Sequence, residues 1–303
     1  MTLTSFIKMS EVSIKLRPLH PKMNRNINKQ IKINPRSNNS SIIGTAFDYL
    51  LRFEIKRRYK NAVMEPWLAE GVLQVRRQKK RIEDDMGPVY NNMFPVKDNK
   101  KSYIEEVFNE FRKIVGESKE AVNKYIHCEE PSMEVQISLA DYAIRLAKID
   151  IFYRSGYLDP EIEEVDQNDK QDLVDLLSIV PFGVLINSEK VILNPGFGES
   201  TLLVDGADAD LITGDLLVDI KTTSSPLIKP YYLDQLLGYY FLARLENHNN
   251  PNYPVINRVG LYFSRHGYLW KMSTSIWINN PLFSETEEWF IKKAKEVFTS
   301  TDK

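Results

Sequence analysis

Cysteine is nearly absent from this chain. A single cysteine among 303 residues, Cys128, excludes an intramolecular disulfide, a zinc site built on cysteine pairs and an iron–sulfur cluster held by four thiolates. Histidine is also scarce, and His20, His127, His248 and His266 show no paired spacing. No apolar run reaches the ~20 residues that cross a bilayer. The most apolar stretch, residues 176–186, is broken by Ser178, Pro181 and Gly183, while Lys8 and Glu11 interrupt what would be the apolar region of a signal peptide. With 43% hydrophobic and 27% charged residues the chain can bury one large core or two modest ones. These features lead us to expect a cytoplasmic protein in a reducing compartment, with no membrane partner.

Acidic residues are sparse in one part of the chain. The first 82 residues carry 18 Lys/Arg against 5 Asp/Glu, and the remaining 221 carry 22 against 36, so a formal net charge of −1 conceals strong asymmetry. A basic face of this kind can meet a polyanion by releasing its condensed counterions, or can remain a solvated tail or lie on the acidic remainder. Residues 1–40 are rich in Asn, Ser and Pro with little periodicity, which predicts an extended basic arm. The cluster Arg76, Arg77, Lys79, Lys80 and Arg81 suits contact with a nucleic-acid backbone or a solvated helical face. The acidic run from Asp159 to Asp169 lacks the ligand spacing of a calcium loop and reads as an exposed connector.

Helical spacing of Phe47, Leu50, Leu51 and Ile55 predicts a helix over 43–60, and further helices follow over 101–115, 135–153 and 170–180. After 180 the pattern turns β-branched and alternating, predicting strands over 184–193, 200–204, 209–213, 216–222, 258–264 and 268–274. Helices are expected over 231–247 and 284–300. The organisation is thus an arm over 1–40, a mainly helical region over 41–180 and a sheet-bearing core over 181–303.

Chemistry concentrates in one hairpin. Gly214-Asp215 separates two apolar strands, and a two-residue loop there places Thr213 opposite Leu216 and Asp210 opposite Asp219. Carboxylates so opposed lie ~5 Å apart on one face and repel unless a cation neutralises them. Strand alternation sets Lys221 on the side of Asp219. Oxygen ligands of this kind suit Mg2+ or Mn2+, which activate water and polarise a phosphodiester. The plainer alternative is a set of ordinary turn and edge-strand acids with Lys221 as their ion-pair partner.

The acid at Asp210 followed by Asp219-Ile220-Lys221 resembles the motif of the PD-(D/E)XK nuclease superfamily. Gln235-Leu236-Leu237-Gly238-Tyr239 is similar to the Gln-x-x-x-Tyr helix of its RecB-type branch, with Gln235 and Tyr239 one turn apart. The resemblance implies a restriction-endonuclease-like α/β core, a mixed sheet of about four strands flanked by helices, with a helical insertion that forms a substrate wall or a protein-partner surface. It also implies a metal-dependent nuclease acting on DNA before RNA, in repair or antiviral defence. Asp210, Asp219 and the Ile220 backbone carbonyl would hold the metal, with Lys221, Gln235 and Tyr239 catalytic. Gly44–Arg52 resembles the branch's upstream helix, but Asp48 stands where the family has a histidine ligand and Arg52 where it has an acid. Asp48 is then a candidate metal ligand, and Arg52 holds a phosphate or pairs with an acid. The iron–sulfur members need four cysteines and are excluded. The alternative is a non-catalytic nucleic-acid-binding or assembly subunit that keeps the fold.

Overall fold

The computed structural model describes residues 2–72 and 99–299. Arg76, Arg77, Lys79, Lys80 and Arg81 lie outside the described residues. In chain order the elements are α1 (Leu3–Phe6), α2 (Ser10–Leu16), α3 (Ser40–Arg58), β1 (Val63–Met64) and α4 (Leu68–Val72). Then come α5 (Asn99–Ile126), α6 (Met133–Ser155), α7 (Gln167–Ser178), α8 (Phe182–Leu185), β2 (Val191–Leu193), β3 (Leu211–Thr213) and β4 (Leu216–Lys221). The last are α9 (Pro230–Asn249), β5 (Arg258–Phe263), β6 (Tyr268–Ser273), α10 (Ser275–Ile278) and α11 (Phe283–Thr299). The fold is α/β, with an open six-stranded mixed sheet flanked by helices. Two compact units divide it: a sheet unit of Met1–Lys32, Asn61–Glu65 and Val180–Lys303, and a helical unit of Ile33–Lys60 and Pro66–Ile179.

The sheet follows the order β1-β2-β3-β4-β5-β6. β1 runs parallel to β2 and β4 parallel to β5, and the other neighbours are antiparallel. About four strands are expected from the family resemblance, and six are seen among the described residues. Val63–Met64 adds an edge strand of two residues, too short for any alternation to show in the sequence. The expected strand over 200–204 is instead a 3-10 helix, Gly198–Val204, between two left-handed residues, Gly198 at φ 51° and Asp205 at φ 50°. Its run Leu202-Leu203-Val204 buries only Val204. Short apolar runs do not by themselves separate strand from helix.

Residues 1–40 do not form an extended arm throughout. Residues 3–6 and 10–16 are helical, and Leu3, Phe6, Ile7, Val12, Leu16 and Leu19 are buried in the sheet unit's core. The helix α9 receives them. Gly238 leaves room for this approach, since a Cβ there would come within 3.0 Å of Leu3 and 3.5 Å of Ile7. Asp234, fully buried on α9, accepts from Ser13 Oγ at 3.0 Å and bonds His20 Nε2 at 2.6 Å. A buried carboxylate requires such partners, so two residues of the amino-terminal stretch are needed where they stand. The density of Asn, Ser and Pro beyond residue 20 hides this short apolar pattern in the sequence.

In the helical unit, α3 packs against α6, and Phe47, Leu50 and Leu51 of α3 and the small residues Ala140, Ala143 and Ala147 of α6 are all buried. Charges are buried here as well. Glu54 is held by Arg57 at 2.7 Å, Arg58 at 2.6 Å and the Tyr125 hydroxyl at 2.7 Å. Tyr49 donates to Asp150 Oδ1 at 2.8 Å. Burial pushes the Asp150 carboxyl up to about 6, against the pull of Arg154, the Tyr49 hydrogen bond and Arg52.

A carboxyl whose folded pKa is raised favours the folded state below its unfolded value, and that contribution is lost as pH rises through about 6. The denaturation midpoint of the helical unit's transition should therefore fall between pH 4 and pH 7, and Asp150→Asn, which keeps an acceptor for Tyr49, should flatten that fall. An unchanged slope in the variant contradicts the assignment. In the sheet unit, a Cβ on Gly260 would stand 2.8 Å from the Trp270 carbonyl oxygen on β6. Gly260→Ala should cost about 2 kcal/mol by overpacking, read as a lower urea midpoint, and a midpoint equal to wild type counts against this close approach.

Candidate active site

The β3–β4 hairpin has the register that its turn dictates. Gly214 sits at φ 59°, a conformation suited to the first position of a two-residue hairpin loop. Thr213 pairs with Leu216, Ile212 with Leu217 and Leu211 with Val218. The next positions outward are Asp210 and Asp219. β3 has ended there, so the Ile220 N–H has no strand carbonyl to meet and donates instead to Asp210 Oδ2, at 2.5 Å. The Asp210 backbone carbonyl meanwhile accepts from Asn194 N–H at 3.0 Å. Asp210 thus closes the frayed end of the ladder with its side chain.

On the interior strand β4, Asp219 is only 3% exposed. Its Oδ2 lies 2.5 Å from Lys221 Nζ, two residues along and on the same side of the strand. Lys221 Nζ donates in turn to Gln235 Oε1 at 2.9 Å, and Gln235 Nε2 donates to the Tyr239 hydroxyl at 2.9 Å. Gln235 and Tyr239 are one turn apart on α9. The result is a buried polar chain, Asp219–Lys221–Gln235–Tyr239, in which each member orients the next. Lys221 Nζ also lies 4.6 Å from the centroid of the Tyr232 ring.

Tyr239 registers the charge around it. Burial pushes its hydroxyl well above the ordinary tyrosine range, and the carboxylates of Asp219, Asp210 and Asp208 push it further in the same direction, while Gln235 opposes them. The Phe197 ring stacks on Tyr239 at 5.4 Å and 20°. Burial likewise raises the Tyr232 hydroxyl, with smaller contributions from Tyr231 and Asp219.

Asp210, Asp219, Lys221, Gln235 and Tyr239 are therefore brought together in the sheet unit, at the carboxyl end of β4. Asp48 and Arg52 belong to the helical unit and pair with each other at 2.5 Å. Burial raises the Asp48 carboxyl against the attraction of Arg52, whose guanidinium lies 4.4 Å from the centroid of the Tyr49 ring. Asp208, Phe197 and Tyr232 are site neighbours that the sequence motifs do not pick out. Spacing was the available signal: Asp208 and Asp210 are two apart in an extended segment, and Tyr232, Gln235 and Tyr239 recur at helical intervals.

Among the described residues, no three His, Cys, Asp or Glu groups form a metal cluster. What the hairpin offers is a smaller set of hard donors, two carboxylates and the Ile220 carbonyl, beside an ammonium. That set fits a hard divalent cation of the magnesium type, which takes one or two carboxylates and completes its shell with water and phosphate oxygens. It does not fit zinc or another metal that needs nitrogen or sulfur ligands. No family model matches the chain, and neither a curated protein nor a solved structure matches it.

Lys221→Met leaves the Asp219 carboxylate buried without its cation and should lower stability by about 3 kcal/mol, measured as the shift of the sheet unit's unfolding transition at neutral pH. Adding Asp219→Asn to that variant should restore most of the loss. A double variant as unstable as the single one contradicts the pairing as the cause.

Proposed function

We propose that the sheet unit hydrolyses phosphodiester bonds of nucleic acid, DNA before RNA, as a nuclease of the PD-(D/E)XK type with a restriction-endonuclease-like core. The observation that carries this reading is the joining of Asp219, Lys221, Gln235 and Tyr239 by one ion pair and two hydrogen bonds beside Asp210. Elements from β4 and α9 converge there although only spacing in the sequence connects them. Asp210, Asp219 and the Ile220 carbonyl would hold Mg2+ or Mn2+, which when bound supplies Lewis-acid polarisation of the phosphate and a more acidic water.

The chain's own groups do the rest. Lys221, charged and fixed between Asp219 and Gln235, presents the donor that orients the attacking water or meets charge developing on the phosphate oxygens. Gln235 limits the rotation of that ammonium, and Tyr239 limits the rotation of Gln235. Burial under Phe197 keeps the Gln235–Tyr239 end of the chain from exchanging partners with water. Asp48, engaged by Arg52, is not needed for this arrangement. A role in repair or antiviral defence is compatible with the chemistry.

A second reading, a non-catalytic nucleic-acid-binding subunit, is favoured by one observation: Asp48, which stands where the family has a further metal ligand, is engaged by Arg52. Incubating the full chain and a Lys221→Ala variant with single- and double-stranded DNA and with RNA, plus Mg2+ or Mn2+, separates the two. We expect metal-dependent cleavage by wild type that falls by roughly 10²–10⁴-fold in the variant. Equal cleavage by both proteins overturns the proposal. Binding without cleavage on every substrate assigns the second reading.

A further inference from the structure

The basic character of the amino-terminal region has a definite place in the sheet unit. Residues 22–32 cross the loops that follow β4 and β5. Ile27 N–H donates to the Pro226 carbonyl at 2.9 Å, Ile228 N–H to the Arg25 carbonyl at 2.8 Å, and Lys32 N–H to the Arg265 carbonyl at 2.9 Å. Asn26 and Leu227 form an antiparallel bridge. Ile27, 8% exposed, anchors the segment in the core, and Asn28 turns it at φ 52°. These ties set the segment across the carboxyl ends of two parallel strands, the edge at which open α/β sheets bind their ligands. Lys221 ends one of those strands.

Between the anchors the segment presents Lys22, Arg25, Lys29 and Lys32, all exposed, and Lys229 is exposed on the loop beside it. None of the five pairs with a carboxylate among the described residues. The stretches that build this edge, 22–32, 220–233 and 258–274, contain no Asp or Glu at all. Apart from Asp210 and Asp219 within the site, the edge offers these cations no intramolecular acid from its own stretches, so they are available to an external anion.

Aromatic rings are interleaved with the cations. Tyr231 is 40% exposed, with Lys229 Nζ 6.0 Å from its centroid, and it meets Tyr232 edge-on at 4.4 Å. Tyr232 carries Lys221 on its ring. Lys29 lies 5.2 Å from the centroid of Tyr268. An exposed ring, Tyr231, among unpaired cations suits an unstacked base and its neighbouring phosphates, because every base has a π-face that a ring can cover, whereas a duplex hides those faces.

We propose that residues 22–32 are a strap that holds one unpaired nucleic-acid strand across the carboxyl ends of β4 and β5, with Lys22, Arg25, Lys29 and Lys32 on its phosphates and Tyr231 under a base. The inference rests on the nuclease reading only for which atoms the strand is led toward, since binding itself needs no turnover.

The test uses the full chain in EDTA, so that cleavage plays no part, and fluorescence anisotropy with a labelled single-stranded oligonucleotide and with the duplex it forms with its complement. We expect the single strand to bind more tightly than the duplex. Replacing Lys22, Arg25, Lys29 and Lys32 together by Gln should weaken single-strand binding at least tenfold and make log K against log salt shallower by about 3, at ~0.7 for each phosphate no longer neutralised. Tyr231→Ala should weaken it about tenfold without changing the salt slope. Because EDTA removes the metal and turnover has no part in this readout, a failure of the catalytic reading in the cleavage assay leaves the outcome for the strap unchanged. Unchanged affinity and slope in the fourfold variant overturn the strap. Duplex binding as tight as single-strand binding, or no binding to either, overturns the single-strand assignment.

Discussion

Asp219 is a carboxylate on an interior strand with almost no access to water, and the sheet unit sets a cation two residues away on the same side of β4 to pair with it. Desolvating an ion without a partner costs several kcal/mol, so this pairing constrains what surrounds it. The Lys221 ammonium has donors to spare beyond Asp219, and Gln235 from α9 takes one of them. Gln235 then has amide protons of its own, and Tyr239 accepts one. Each polar demand is met by the next residue, which fixes how α9 lies along the strand end. The amino-terminal residues meet the last demand on that helix, because Ser13 and His20 satisfy the buried Asp234.

The same constraint shapes the candidate chemistry. A lysine needed to neutralise a buried acid is held where it can also act on a substrate, and the hairpin's second acid stands across from it. Asp210 is fixed by a different need, the unmet N–H of Ile220 past the end of β3. Both acids thus have structural reasons for their positions, and together with Asp208 they raise the buried Tyr239 hydroxyl beyond what burial alone does.

How much of this was legible in the sequence depended on how local the cause was. The hairpin register followed from Gly214-Asp215, because a two-residue loop leaves no freedom in pairing. Lys221 beside Asp219 followed from strand alternation, and Gln235 above Tyr239 from the helical turn. The long helices were equally plain, although α5 extends to Ile126 where its apolar spacing had suggested 115. What escaped depended on distant partners. The amino-terminal helices carry only a few apolar residues each, stabilised by a helix more than 200 positions away, and the polar sequence after them reads as disorder. The turn at Gly198–Val204 is set by left-handed residues that the run of apolar letters conceals. Phe197 joins the site only through tertiary contact.

For the chemistry, everything turns on whether Asp210 and Asp219 together attract a hard divalent cation. Calorimetric titration of Mn2+ into the wild-type chain and into Asp210→Asn addresses this without reference to any substrate. Wild type should take up the ion, and the substitution should abolish that uptake. Equal uptake by both proteins, or none by wild type, would refute the site.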